Sequence, residues 1–197
     1  MKVLICAATL SEYNLCVKEI KKNKLEQTFE VLKTGVGFGN ARTALKKRLN
    51  DKSKSFPDLV LSTGFAGSCS QDLKQGSWIQ AEKIYLEETK DMAAKEIPFY
   101  RNGGRLKEKS IHFLTKNNLK TLFKQFNSKE LNTSYQSVQS NITVAAVDME
   151  SAVLAQICNQ YRIPFHVLRY ITDSVENPFP NFVKAIASGM AKKQIIR

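Results

Sequence analysis

Histidine is almost missing from this chain of 197 residues, with only His112 and His166 present and far apart in sequence. That removes the usual material for a His-based metal centre or a His-centred catalytic dyad. The four cysteines, Cys6, Cys16, Cys69 and Cys158, have no C-x-x-C spacing, which argues against a zinc site or a disulfide framework and for buried free thiols. Nine glycines and five prolines are too few for a collagen-like, mucin-like or disordered chain. No apolar run approaches the roughly 18 residues of a membrane span. The nearest candidate, residues 163–171, is broken by Pro164, His166 and Arg169. Internal repeats and low-complexity segments are also lacking.

What is present is an ordinary globular composition, 43% hydrophobic and 24% charged, with enough apolar material to bury a core. The length fits one domain over residues 1–197. Residues 1–10 carry one Lys before an apolar stretch too short for a secretory signal, so the chain reads as mature and cytoplasmic. Lys and Arg total 30 against 18 Asp and Glu, a net charge of +12, which raises nucleic acid or an anionic ligand as a partner. The lysines of residues 18–24, 46–48 and 116–124 are interleaved with apolar residues at helical spacing, as on solvated helix faces. No aromatic–basic sheet motif, zinc finger or helix-turn-helix accompanies them, and nucleic acid is not the expected partner.

Along the chain, residues 2–9 form a continuous apolar run that suits a strand buried on both faces, followed by a helix over about 12–22 capped by Ser11. Residues 29–34 read as a strand that breaks at Gly35, Gly37 and Gly39, and Asn40 opens a helix through residue 49. Residues 58–63 read as a strand stopping at Gly64, residues 78–86 as another, and 87–109 as a long functional or mobile loop. Beyond it the pattern predicts a strand at 111–114, a helix at 118–126 and a strand at 134–144. The best helix lies over 146–160, where Met149, Val153 and Ile157 recur four apart. A buried strand over 164–171 ends at Thr172 and Asp173, and a helix covers about 181–193. This alternation specifies an α/β fold, a single domain with a central mixed β-sheet flanked by helices.

Ligands of α/β sheets bind beyond the carboxyl ends of the strands. Ser11-Glu12, the turn from Gly64 to Gly67, and Thr172-Asp173 occupy such ends, and Met149-Glu150 heads the best helix. Glu12, Glu150 and Asp173 could therefore converge on one rim, an arrangement suited to glycosidic chemistry, where one carboxyl serves as acid and another activates water. Taken singly, each acid reads more readily as a helix cap or a surface charge.

The segment from Ala145 to Ala152, AAVDMESA, followed by PFHVLRYITD from Pro164 to Asp173, resembles the signature of the nucleoside phosphorylase/nucleosidase superfamily, particularly methylthioadenosine/S-adenosylhomocysteine nucleosidases. The likeness extends to AATLSE (residues 7–12), to Gly35-Val36-Gly37, and to STGFAG (residues 62–67) with Gly76 downstream. It implies that Glu150 accepts hydrogen bonds from ribose hydroxyls and that Met149 packs on the sugar. Asp173 would deliver a proton toward purine N7. Glu12 would deprotonate the attacking water, and Arg169 would hold that region in charge balance. Phe65, Ala66 and Gly67 would lie along the substrate, with main-chain donors of the turn close to it. Neither a metal nor an organic cofactor is implied, and a homodimer is.

Many phosphorylases of that superfamily carry an arginine two residues before the first glycine of the turn, where this chain has Ser62. Phosphate capture would then need another cation, such as Arg42 or one from a neighbouring subunit, while Glu12 would repel a phosphate dianion. Hydrolysis is the expectation, with phosphorolysis as the alternative. Phe65 stands where methylthioadenosine nucleosidases usually have a small hydroxyl residue. The GFAGS run looks closer to futalosine hydrolase and the hopanoid-associated nucleosidase. The expected substrate is a purine nucleoside whose 5′ substituent is open. A non-catalytic nucleoside- or nucleic-acid-binding protein is the alternative from another class.

Overall fold

A computed structural model describes residues 1–87, 94–100, 109–116 and 144–173. At its centre lies β1 (Val3–Ala7), apolar throughout and buried at every position. It is flanked in parallel by β2 (Phe29–Lys33) and β3 (Leu59–Ser68). Because strand side chains alternate, β1 feeds two separate cores. Val3 and Ile5 pack with Cys16 and Ile20 of α1 (Leu10–Lys22). Leu4 and Cys6 join the larger core containing Ala41, Leu45 and Leu49 of α2 (Phe38–Leu49).

The remaining strands are β4 (Trp78–Glu87), the short β5 (Lys95–Glu96), β6 (Lys109–Lys116), β7 (Ala146–Asp148) and β8 (Phe165–Asp173), with α3 (Ser151–Gln160) between the last two. β8 runs parallel to β3 from Val60↔Phe165 onward and also pairs antiparallel with β4 through Trp78↔Tyr170. β4 pairs with β6, β6 with β7, and β7 returns to β3 at Gly67↔Val147 and Ser68↔Ala146. The mixed sheet thus closes on itself through β3, β8, β4, β6 and β7, so these strands leave little open edge.

Several boundaries differ from the sequence reading. β3 does not stop at Gly64. It continues to Ser68, with Gly64 at φ +144° and a register shift between Ala66 and Gly67 against β8. Glycine here bends the strand from one partner to the next rather than ending it. The helix expected over 146–160 begins only at Ser151, because Ala146–Asp148 is taken up as β7 between β3 and β6. Pairing on both sides overrides the helical spacing of those residues. Thr9, not Ser11, caps α1, and α2 opens after Gly37 rather than at Asn40, whose side chain instead donates to the Val36 carbonyl at 2.8 Å.

Within the expected loop, β5 pairs with β4, and Phe99 packs edge-on to the fully buried Phe165 with ring centroids 6.0 Å apart. The helices expected at 118–126 and 181–193, and all but Val144 of the strand expected at 134–144, lie outside the described residues. All four cysteines are free and buried, and burial pushes the Cys6 thiol up to about 12. No helix among the described residues is long and apolar enough to cross a membrane.

Candidate active site

The first turn of α1 fixes Glu12. Thr9 Oγ1 accepts from the Glu12 amide at 3.2 Å and Glu12 Oε2 accepts from the Thr9 amide at 2.7 Å, a reciprocal capping box. The other oxygen, Oε1, accepts from the Phe65 amide of β3 at 3.0 Å. One buried carboxylate therefore joins a helix start to the neighbouring strand while keeping lone pairs for a further donor. Gly64 makes this possible, because a Cβ at that position would run into the Glu12 carboxylate.

Glu150 sits in the turn between β7 and α3, at the N-cap position, yet its side chain makes no cap bond. It reaches across to accept from the Gly37 amide at 2.8 Å, tying the β2–α2 loop to the β7–α3 turn. Gly37 is at φ +89°, and Met149 Cε lies 3.6 Å from where its Cβ would be. Burial pushes the Glu150 carboxyl up to about 8, assisted by the charge of Asp148 and opposed by the Gly37 amide and Arg169.

Asp148 carries a function that sequence reasoning missed. Its Oδ2 accepts from Arg169 Nη2 at 2.7 Å and Nε at 3.1 Å, and also from the Ser151 hydroxyl. Its Oδ1 accepts from Thr115 Oγ1 at 2.7 Å, and both oxygens lie 3.3 Å from the Ser151 amide. Arg169 Nη2 also donates to Ser62 Oγ at 2.9 Å. The pattern Asp148-x-x-Ser151 at a helix start is the one local signal that could have disclosed this role.

These groups surround a small, partly open cavity, whose wall includes Glu12, Ser62, Gly64, Phe65, Glu150 and Arg169 together with Cys6, Thr34 and Leu154. Of the residues singled out in the sequence, Glu12, Phe65, Glu150 and Arg169 are thus brought together. Met149, Ala66 and Gly67 are not on this wall: Met149 is buried beside Gly37, Ala66 belongs to the core, and Gly67 is in the ladder opposite Val147 and Asp173. The Phe65 amide, expected to face a ligand, is already given to Glu12. The Phe65 ring meets Tyr170 edge-on at 6.4 Å. The backbone of Asp173 ends β8 opposite Gly67, and its side chain lies outside the described part of the structure. Arg42 is exposed, stacked over Phe38 at 5.4 Å, and away from the wall. Among the described residues, Arg169 is the one cation on the wall, and no cluster of three His, Cys, Asp or Glu is arranged to hold a metal ion.

Comparison with known proteins agrees with this architecture. Residues 18–194 match the family model described as the phosphorylase superfamily. A 5′-methylthioadenosine/S-adenosylhomocysteine nucleosidase of Buchnera aphidicola subsp. Acyrthosiphon pisum is 29% identical over 171 residues, 80% of this chain and 72% of the relative. Among solved structures, the 5′-methylthioadenosine/S-adenosylhomocysteine nucleosidase from Helicobacter pylori with butyl-thio-DADMe-Immucillin-A gives a TM-score of 0.75 at 18% identity, covering 98% of this chain and 94% of that one. Native futalosine hydrolase of Helicobacter pylori strain 26695 gives 0.76 at 18% identity, covering 98% and 93%. At these identities the structural likeness is one of fold.

Two outcomes follow from the geometry. Gly64→Ala combines a disfavoured φ with a collision at Glu12, and should lose ~1–3 kcal/mol in urea unfolding; a variant as stable as the parent contradicts this account of Glu12. For Glu150, the folded state retains a proton that the unfolded chain releases near pH 4.5, so its contribution to stability falls as pH rises from 4.5 to about 8. The slope is at most about 1.4 kcal/mol per pH unit. Glu150→Gln should therefore gain stability over the parent at pH 8 but not at pH 4, and an equal difference at both would refute the proton assignment.

Proposed function

The chain belongs to the phosphorylase superfamily, and from that premise we propose that it is a nucleosidase, hydrolysing the N-glycosidic bond of a purine nucleoside or 5′-modified nucleoside to release the free base. The observation that carries this reading is that Arg169, the one described cation on the cavity wall, is neutralised by Asp148 at 2.7 Å with both side chains buried, while Glu12 and Glu150 are the acids that face the same space. Among its described residues such a wall offers a phosphate dianion no unpaired cation, and it suits water and a sugar that becomes cationic as the base departs. The nucleosidase and hydrolase names of the relatives support the same reaction class.

On this reading Glu12 orients the attacking water and takes its proton, using the lone pairs left free by Thr9 and Phe65. Glu150 accepts from the ribose hydroxyls, and Met149 backs the sugar from beside Gly37. Asp173, four residues beyond Arg169 on β8, supplies the proton that makes the purine a neutral leaving group. Arg169 balances the acids around it. Phe65 lines the path of the substrate, with Ala66 and Gly67 behind it along β3. No metal or organic cofactor takes part. The protein acts in the cytoplasm as a homodimer, for which exposed Leu10, Val36 and Tyr100 offer apolar surface, and its partner is a small nucleoside rather than nucleic acid.

The test is release of free base from adenosine, inosine, methylthioadenosine, S-adenosylhomocysteine and futalosine in phosphate-free buffer. Asp173→Asn should slow turnover of the best substrate by ~10²–10⁴-fold. Glu12→Gln should abolish turnover but still bind nucleoside, and Glu150→Gln should weaken both binding and turnover. Full activity in Asp173→Asn would overturn the site assignment.

A further inference from the structure

Around Arg169 chemistry fixes the direction of the hydrogen bonds, because a guanidinium only donates and an ionised carboxylate only accepts. Arg169 gives Nε and Nη2 to Asp148, and Nη2 also to the hydroxyls of Ser62 at 2.9 Å and Ser151 at 3.1 Å. Two of the three hydroxyls in this network have an acceptor for their own hydrogen. Ser151 and Thr115 both donate to Asp148, Thr115 while accepting from the Ala152 amide at 2.9 Å. Ser62 is the exception. Its oxygen accepts from Arg169, and nothing among the described residues accepts from its hydroxyl. A buried donor left without an acceptor is costly, and Ser62 is 1% exposed on the wall of the cavity. The cavity is where its hydrogen finds a partner.

Glu12 is the acceptor nearest along the strand. Ser62 and Gly64 are two apart on β3 and so turn to the same face, about 6–7 Å from each other. Glu12 fills the place of the side chain that Gly64 lacks, with Oε2 3.4 Å from the ideal Cβ position. No direct bond joins Ser62 to Glu12, and a separation of this order is what one water spans at about 2.8 Å to either side. We propose that Ser62 is a catalytic residue that holds the attacking water together with Glu12. Ser62 donates to one lone pair of the water, a hydrogen of the water goes to Glu12, and the second lone pair is left to attack. The water oxygen bonds to the anomeric carbon, and the bond to the base breaks with its electron pair leaving on the base. The water proton passes to Glu12, and the base takes up a proton from Asp173. Accepting from a guanidinium polarises the Ser62 hydroxyl and strengthens its donation, so the charge of Arg169 reaches the water through Ser62. The reaction rests on the nucleosidase reading, whereas the water site rests on the hydrogen-bond directions and the strand geometry.

The experiment pairs a high-resolution crystal structure of the ligand-free protein with steady-state kinetics of Ser62→Ala, a change that leaves Arg169 its bonds to Asp148 and Ser151. The parent should hold a water within about 2.6–3.2 Å of both Ser62 Oγ and a Glu12 oxygen, and Ser62→Ala should lose it. With the best nucleoside substrate, kcat should fall ~10–100-fold. KM should stay within about twofold, since the lost hydroxyl touches water and not nucleoside. Ser62→Cys keeps the shape and a weak donor, so its kcat should lie between those of Ser62→Ala and the parent, and it carries the test if Ser62→Ala does not fold. An unmoved kcat in whichever variant folds, a rise in KM alone, or a parent structure without the bridging water overturns the proposal. A parent that holds the water but releases no base from any nucleoside would sink the nucleosidase reading and leave the water site standing.

Discussion

The pairing of Asp148 with Arg169 is the interaction on which the rest of the site depends. β7 is only three residues long, yet it closes the ring of strands by bridging β3 and β6. At its end, Asp148 ties β8 through Arg169, β6 through Thr115 and α3 through Ser151. Leaving either charge unpaired in that interior would be severely destabilising, because both side chains are buried away from solvent. The pair also decides the chemistry of the cavity. It cancels the one described cation on the wall.

The net charge of the chain gives no hint of this. At +12 the protein is strongly basic, and Lys18, Lys21, Lys22, Lys46 and Lys47 are exposed on α1 and α2, whereas the cavity is lined by carboxyl groups held in place by main-chain donors. Glu12 and Glu150 each accept from a backbone amide on a different element, Phe65 and Gly37 respectively. Fixed donors of this kind hold an acid in position without adding a positive charge that would attract phosphate. Long-range charge bears on solubility and encounter; the local donors bear on what reaction the cavity can host.

Much of this was legible in the sequence, and the failures have identifiable physical causes. The apolar run at Val3–Ala7 and the alternation of strands with helices sufficed for an α/β sheet. Placing acids at strand ends sufficed to bring Glu12 and Glu150 to one cavity. The closure of the sheet was not legible, because the residues of β7 carry helical spacing and become a strand only through partners at Gly67, Ser68, Phe113, Leu114 and Thr115. Gly64 looked like a terminator since local sequence cannot distinguish a glycine that ends a strand from one that makes room for the Glu12 carboxylate. Asp148 was hidden in plain view, two residues before Glu150. Its value lies in Arg169 and Thr115, which are distant in sequence.

The central claim is that the neutralisation of Arg169 by Asp148 commits this cavity to water rather than phosphate. Its most direct test is to run the reaction in ¹⁸O-labelled water with saturating inorganic phosphate and analyse the sugar product. The account predicts a free reducing sugar with one ¹⁸O at the anomeric carbon before it exchanges with solvent, formed at a rate unaffected by phosphate. An unlabelled sugar 1-phosphate, accumulating in step with the free base, would contradict it.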